Sequence, residues 1–263
     1  MEKVTVGNID ICYEVMGEGH PLVMIMGLTA NMDWWDPQLL ESLSKRYRVL
    51  IFDNRGAGRT DAPPGEFTIK QFADDTAGLM DALGFDHAHV MGVSMGGMIA
   101  QELVLNYPEK VDNLVLCVTF CGGQETVPAS QEVLDKLIKR PPTPEEQAKQ
   151  TLTLLFPEEW LETHKEYFDG FLEIYMRAPT TDENALRQFM ACANFSDYDR
   201  LPLIDKPTLV ACGAEDILIP PENSRIIADR IPGAKLVEYE GAGHGFINQY
   251  REEFTPVLVD FLG

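Results

Sequence analysis

Short apolar runs, each followed by a stretch with helical spacing, recur along this chain, and that alternation limits its fold more than any other feature. Residues 22–26, 49–52, 89–93, 111–118, 208–212 and 235–239 read as strands, with two shorter ones near 4–6 and 10–15. Helical patterns around 35–46 and 69–83, and another beginning near Ser94, lie between them. Strands that are apolar on consecutive residues need cover on both faces. The pattern therefore predicts an α/β fold, with a mostly parallel eight-stranded sheet and helices on either side.

The alternation stops at about residue 121. From there to about 199 no strand is expected, only helical stretches at 131–140, 144–156, 158–177 and 182–193. Prolines punctuate them at Pro141-Pro142, Pro157 and Pro179, where helices are expected to end. After Pro202 and Pro207 the strand–helix pattern resumes. The economical organisation is one α/β domain, residues 1–121 and 200–263, interrupted by a helical insertion over 122–199. An insertion of that length is too long for a plain connection and points to a functional role.

Charge removes several classes of partner. Lys and Arg total 21 against 42 Asp and Glu, a formal net charge of −21, and no basic run offsets it. Such a surface repels nucleic acid and anionic lipid. The N-terminus has neither the basic nor the apolar region of a signal peptide, and no apolar run is long enough to span a bilayer. The five cysteines are an odd number and form no CxxC pair, the pattern of reduced thiols in a cytoplasmic protein. No cofactor motif and no metal cluster is expected. His87 and His89 enter a strand, and their H-x-H spacing reads as sheet packing rather than as a metal pair.

Gly92-Val93-Ser94-Met95-Gly96 carries the clearest chemistry. The G-x-S-x-G pattern lies between an apolar strand and a helical stretch, where a sharp turn presents a serine beside a helix N-terminus. A serine nucleophile needs a base, and the base an orienting acid. Of the five histidines only His244 lies in a glycine-rich loop just after a strand; His20 precedes a strand, and His164 reads as solvated mid-helix surface. Glu215 and Asp216 both follow the 208–212 strand, at the sheet edge where sites of open α/β folds assemble, and either carboxylate could serve. Two N–H donors are also required for an oxyanion. The expected pair is Met95, directly after the serine, and Leu28, beside Gly27.

With these elements together the sequence resembles the α/β-hydrolase family over nearly all of its length outside the insertion. Met26-Gly27-Leu28 resembles the oxyanion loop, followed by Trp35 where that loop is usually followed by a tryptophan. Residues 52–60 resemble the D-x-R-G-x-G-x-S turn, and Gly213-Ala214-Glu215-Asp216 and Gly243-His244 resemble the acid and base loops. The resemblance implies Ser94 as nucleophile, Asp216 as acid and His244 as base, in that chain order, with the insertion as a cap. Asp53 and Arg55 read as residues that hold the turn. Met26 stands where the family has histidine. A serine rather than an aspartate at 94 argues against the dehalogenase and epoxide hydrolase branches, and the lack of Gly-Gly-Pro-Gly after Gly27 against the proline iminopeptidase branch. The implied activity is hydrolysis of a small to medium carboxylic ester or lactone without a cofactor, with Met26, Trp35, Cys121 and Phe246 as candidate pocket residues. A catalytic role for Cys121 is not expected. A slow-turnover receptor, a perhydrolase or a C–C bond hydrolase built on the same triad, and a homodimer, all stay open.

Overall fold

The computed structural model describes all 263 residues. Eight strands form one sheet: β1 (Glu2–Val6), β2 (Ile9–Met16), β3 (His20–Ile25), β4 (Tyr47–Phe52), β5 (Ala88–Val93), β6 (Val111–Cys117), β7 (Thr208–Gly213) and β8 (Lys235–Tyr239). Their order is β1-β2-β4-β3-β5-β6-β7-β8. Only the pairings of β2 with β1 and with β4 are antiparallel; the other five run parallel.

Successive side chains of a strand point to opposite faces, and the core divides accordingly. Val23, Ile25, Leu50, Val90, Leu114 and Val210 join one buried cluster. Leu22, Met24, Val49, Met91, Val115 and Leu209 join the other. The first cluster takes in apolar residues of α2 (Ile69–Ala82), α3 (Met95–Asn106) and α9 (Glu222–Arg230), and the second those of α1 (Pro37–Ser44), α10 (Phe246–Gln249) and α11 (Arg251–Leu262). The central strands thus carry consecutive apolar residues because both faces are covered.

Between β6 and β7 come α4 (Gln131–Ile138), α5 (Pro144–Leu155), α6 (Glu158–Thr163), α7 (Glu166–Arg177) and α8 (Asp182–Ala193). Ser130, Thr143 and Thr181 cap α4, α5 and α8, each hydroxyl accepting a backbone N–H from the first turn. The single helix expected over 158–177 is two helices, broken at His164 and Lys165. His164 therefore lies at a helix end, stacked 4.2 Å from the Trp160 ring, rather than mid-helix on the surface. The two ends of the insertion meet: Gly122 bridges Ser196, and the Asp197 N–H donates to the Cys121 carbonyl at 2.7 Å. No helix is long and apolar enough to cross a membrane.

Candidate active site

Because β3 to β8 run parallel, the loops that follow them gather at one edge of the sheet. Ser94 leaves β5 with φ +57° and ψ −120°, a strained region for any residue with a side chain. The turn is tight because its neighbours are small: a Cβ on Gly96 would lie 2.1 Å from the Ile25 carbonyl oxygen. Gly27 presses on the serine from the β3 side, where a Cβ would sit 3.0 Å from Ser94 Cβ and 3.2 Å from the Val93 carbonyl oxygen. Met95 opens α3, so its N–H has no acceptor within the helix.

His244 and Asp216 are joined. The imidazole Nδ1 lies 2.7 Å from Asp216 Oδ2, and the residues are 6% and 3% exposed. The other carboxylate oxygen, Oδ1, accepts from the N–H groups of Leu218 and Ile219, both at 2.9 Å, so backbone fixes the plane of the group. Glu215, the competing carboxylate, is exposed to solvent. Ser94 makes no hydrogen bond to His244 in this arrangement; the direct link is between the histidine and the aspartate.

The loop after β3 is held by the insertion. Thr29 has φ +62°, unusual for a β-branched residue. Its N–H donates to Gln188 Oε1 at 2.8 Å and its carbonyl accepts from the Thr180 hydroxyl at 2.8 Å. Gln188, on α8, is fully buried and also donates to the Arg55 carbonyl at 3.1 Å. One signal in the sequence was legible: Gln188 shares the buried stripe of α8 with Ala185, Ala191 and Cys192, and an amide on an apolar stripe requires partners. The insertion also holds the base loop. The Gly245 N–H donates to the Leu155 carbonyl at 2.7 Å, and the Phe156 ring leaves no room for a Cβ on Gly245.

The turn after β4 supports the same edge. Asp53 accepts from the N–H groups of Met32 and Arg59 at 2.8 and 2.7 Å; burial raises its carboxyl above the ordinary range despite those bonds. Arg55 pairs with Asp75 of α2 at 2.7 and 2.6 Å. Both residues hold structure, each through a partner other than its neighbour.

All four expected pocket residues pack into the core clusters. Phe246 is fully buried, stacked 5.3 Å from Tyr239 and edge-on to Phe254, so its ring is already enclosed. Trp35 and Cys121 are 3% and 1% exposed within the two core clusters. Burial pushes the Cys121 thiol up to about 11, so it stays protonated and non-nucleophilic at neutral pH. Met26, at 8% exposure, belongs to the same cluster as Trp35. The neighbouring Trp34 instead lines a shallow cleft with Thr29, Tyr175 and Thr180. A second small cleft lies between Phe156, Glu215 and Gly243.

This arrangement belongs to the serine-elbow α/β proteins, and sequence comparison agrees. The model of the alpha/beta hydrolase fold family matches residues 20–247, and the chain belongs to that family of hydrolases. It is similar to the RutD protein of Azorhizobium caulinodans, named for carbamate hydrolysis, at 29% identity over 98% of this chain and 96% of the relative. It is also similar to the BpoC protein of Mycobacterium tuberculosis, named as a non-heme bromoperoxidase, at 33% identity over 96% of this chain and 98% of that one. Among solved structures, the enol-lactonase from Burkholderia xenovorans LB400 superposes with a TM-score of 0.87 at 27% identity, covering 99% of each chain.

Proposed function

We propose that this protein is a serine hydrolase that cleaves a small carboxylic ester or lactone through an acyl-enzyme. The observation that carries the reading is the pairing of a strained Ser94, φ +57°, with a buried His244–Asp216 couple at 2.7 Å on the same sheet edge. Ser94 Oγ attacks the carbonyl carbon while its proton passes to His244 Nε2, the nitrogen left free by Asp216. Asp216 holds the imidazole in that tautomer and stabilises its charged form. The N–H groups of Leu28 and Met95 receive the oxyanion. Collapse of the intermediate expels the alcohol, which takes the proton from His244. Water then repeats the sequence to release the acid and restore the serine.

The likeness to an enol-lactonase supports a cyclic ester, and the RutD name extends the acyl class to carbamates. BpoC supports a second reading on the same intermediate: hydrogen peroxide replaces water and the acyl group leaves as a peroxy acid.

The test is turnover of p-nitrophenyl esters from acetate to octanoate, and of a simple lactone, by wild type and Ser94→Ala, with and without peroxide. Many turnovers per chain, falling by about 10⁶-fold in the variant, are expected, and the chain-length optimum sizes the acyl pocket. Sub-stoichiometric product from folded wild type would turn the assignment towards a ligand receptor.

A further inference from the structure

At the opposite edge of the sheet, where the parallel strands begin, lies a cluster that the hydrolytic reading does not use. His20 opens β3, His87 precedes β5, and Asp112 is the second residue of β6. Leu22 pairs with His89 in the parallel register of β3 and β5, which sets His20 level with residue 87. The register of β5 against β6 shifts between Ala88 and Val90, beside the cluster; such irregularities re-aim side chains. As a result His20 Nε2 and His87 Nδ1 converge on a single atom, Asp112 Oδ2, at 2.8 and 2.7 Å.

We propose that His20, His87 and Asp112 form a binding site for a divalent transition-metal ion, through His20 Nε2, His87 Nδ1 and the Asp112 carboxylate. The three donor atoms lie within 4.8 Å of one another. Around a tetrahedral ion with bonds of about 2.0–2.1 Å, donor atoms sit about 3.3 Å apart. An ion therefore needs the hydrogen-bonded atoms to separate by about half an ångström. The side chains have that freedom, being 38%, 54% and 34% exposed. Each imidazole binds in its neutral form with the proton on its other nitrogen, and the ion replaces the two hydrogen bonds.

A second observation points the same way. His89, two residues on from His87, has its ring 4.4 Å from that of His20. It is 8% exposed, and its Nδ1 is buried without a hydrogen-bond partner. A buried, unpartnered imidazole nitrogen beside two others and a carboxylate is the surrounding of an ion site rather than of a plain surface ion pair. Two imidazoles and one carboxylate favour zinc, nickel or copper over magnesium or calcium, and three protein ligands leave a position for water. An ion here ties together the starts of three adjacent strands, at the sheet edge away from Ser94, so its role is to bind and brace.

The experiment uses tag-free protein stripped with a chelator and dialysed, titrated calorimetrically with zinc chloride, and with magnesium chloride in parallel. Thermal unfolding is followed across the same concentrations. One zinc per chain and a melting temperature that climbs with zinc are expected, with no response to magnesium. His87→Gln and Asp112→Asn should each weaken zinc binding by more than about 100-fold, at least the cost of disturbing a metal's outer shell. His20→Gln provides a third variant should either of those melt early without metal. Absence of zinc binding by wild type, or binding of equal strength in the variants, overturns the proposal.

Discussion

The choice between two adjacent carboxylates is decided residue by residue. Asp216 and Glu215 sit side by side after β7, yet one turns inward onto His244 and the other into solvent. Asp216→Asn should lower kcat by about 10⁴-fold, because the amide favours the wrong imidazole tautomer, and Glu215→Gln should leave kcat within a factor of a few. Steady-state kinetics on one p-nitrophenyl ester decides it; the reverse ranking would reassign the acid. Gly27 has its own constraint. Any Cβ there would lie 3.0 Å from Ser94 Cβ, so Gly27→Ala should cut kcat at least tenfold through a misplacement of under 1 Å. The melting temperature should change little, since the strain falls on the nucleophile and not on the core.

At the scale of elements, the inserted helices brace two loops of the site. Gln188 of α8 links the Thr29 N–H to the Arg55 carbonyl, and Leu155 at the end of α5 accepts the Gly245 N–H beside His244. The part of the insertion around residues 180–188 therefore braces the loop after β3. Gln188→Leu keeps the volume but leaves the partly buried Thr29 N–H and the buried Arg55 carbonyl without their partner, the latter at about 1–3 kcal/mol. We expect a lower melting temperature together with a fall in kcat at nearly constant KM. A purely structural role would lower the melting temperature and leave kcat of the folded fraction unchanged.

The whole molecule carries a net charge of −21, and among its buried acids Asp197 is the one pushed furthest. Asp197, where the insertion rejoins the α/β domain, is 1% exposed with Oδ2 unpartnered. Burial, then the nearby Glu102, pushes its carboxyl up to about 6, against the opposing pull of Arg200. A carboxyl raised in the folded state favours folding fully below its unfolded value, near 3.8, and that contribution is lost as pH rises through about 6. Asp197→Asn should remove this slope, so that its stability relative to wild type is higher at pH 8 than at pH 4.5. Denaturant melts at pH 4.5 and pH 8 measure the difference, and an Asp197→Asn chain as pH-sensitive as wild type would assign the slope to other groups.

Much of this was legible in the sequence because it is local. Apolar runs mark the eight strands, Ser, Thr and Pro mark the ends of the inserted helices, and Gly-x-Ser-x-Gly marks the turn at Ser94, since each depends on residues a few positions apart. Trp34 and Trp35 show where that reading ends. Adjacent residues of the same type, they part because one faces the insertion and the other the core. The break at His164 escaped it too, for no proline or glycine marks it. The resemblance already favoured Asp216 over Glu215; the tertiary structure alone decided that Gln188 holds Thr29, and that His20, His87 and Asp112 converge at the far edge of the sheet. Each of those contacts joins residues 25 to 159 positions apart, and no local pattern encodes which of many distant side chains will meet. The order and register of the strands set those meetings. Sequence determined the elements and the nucleophile's turn; packing decided which side chains share a site.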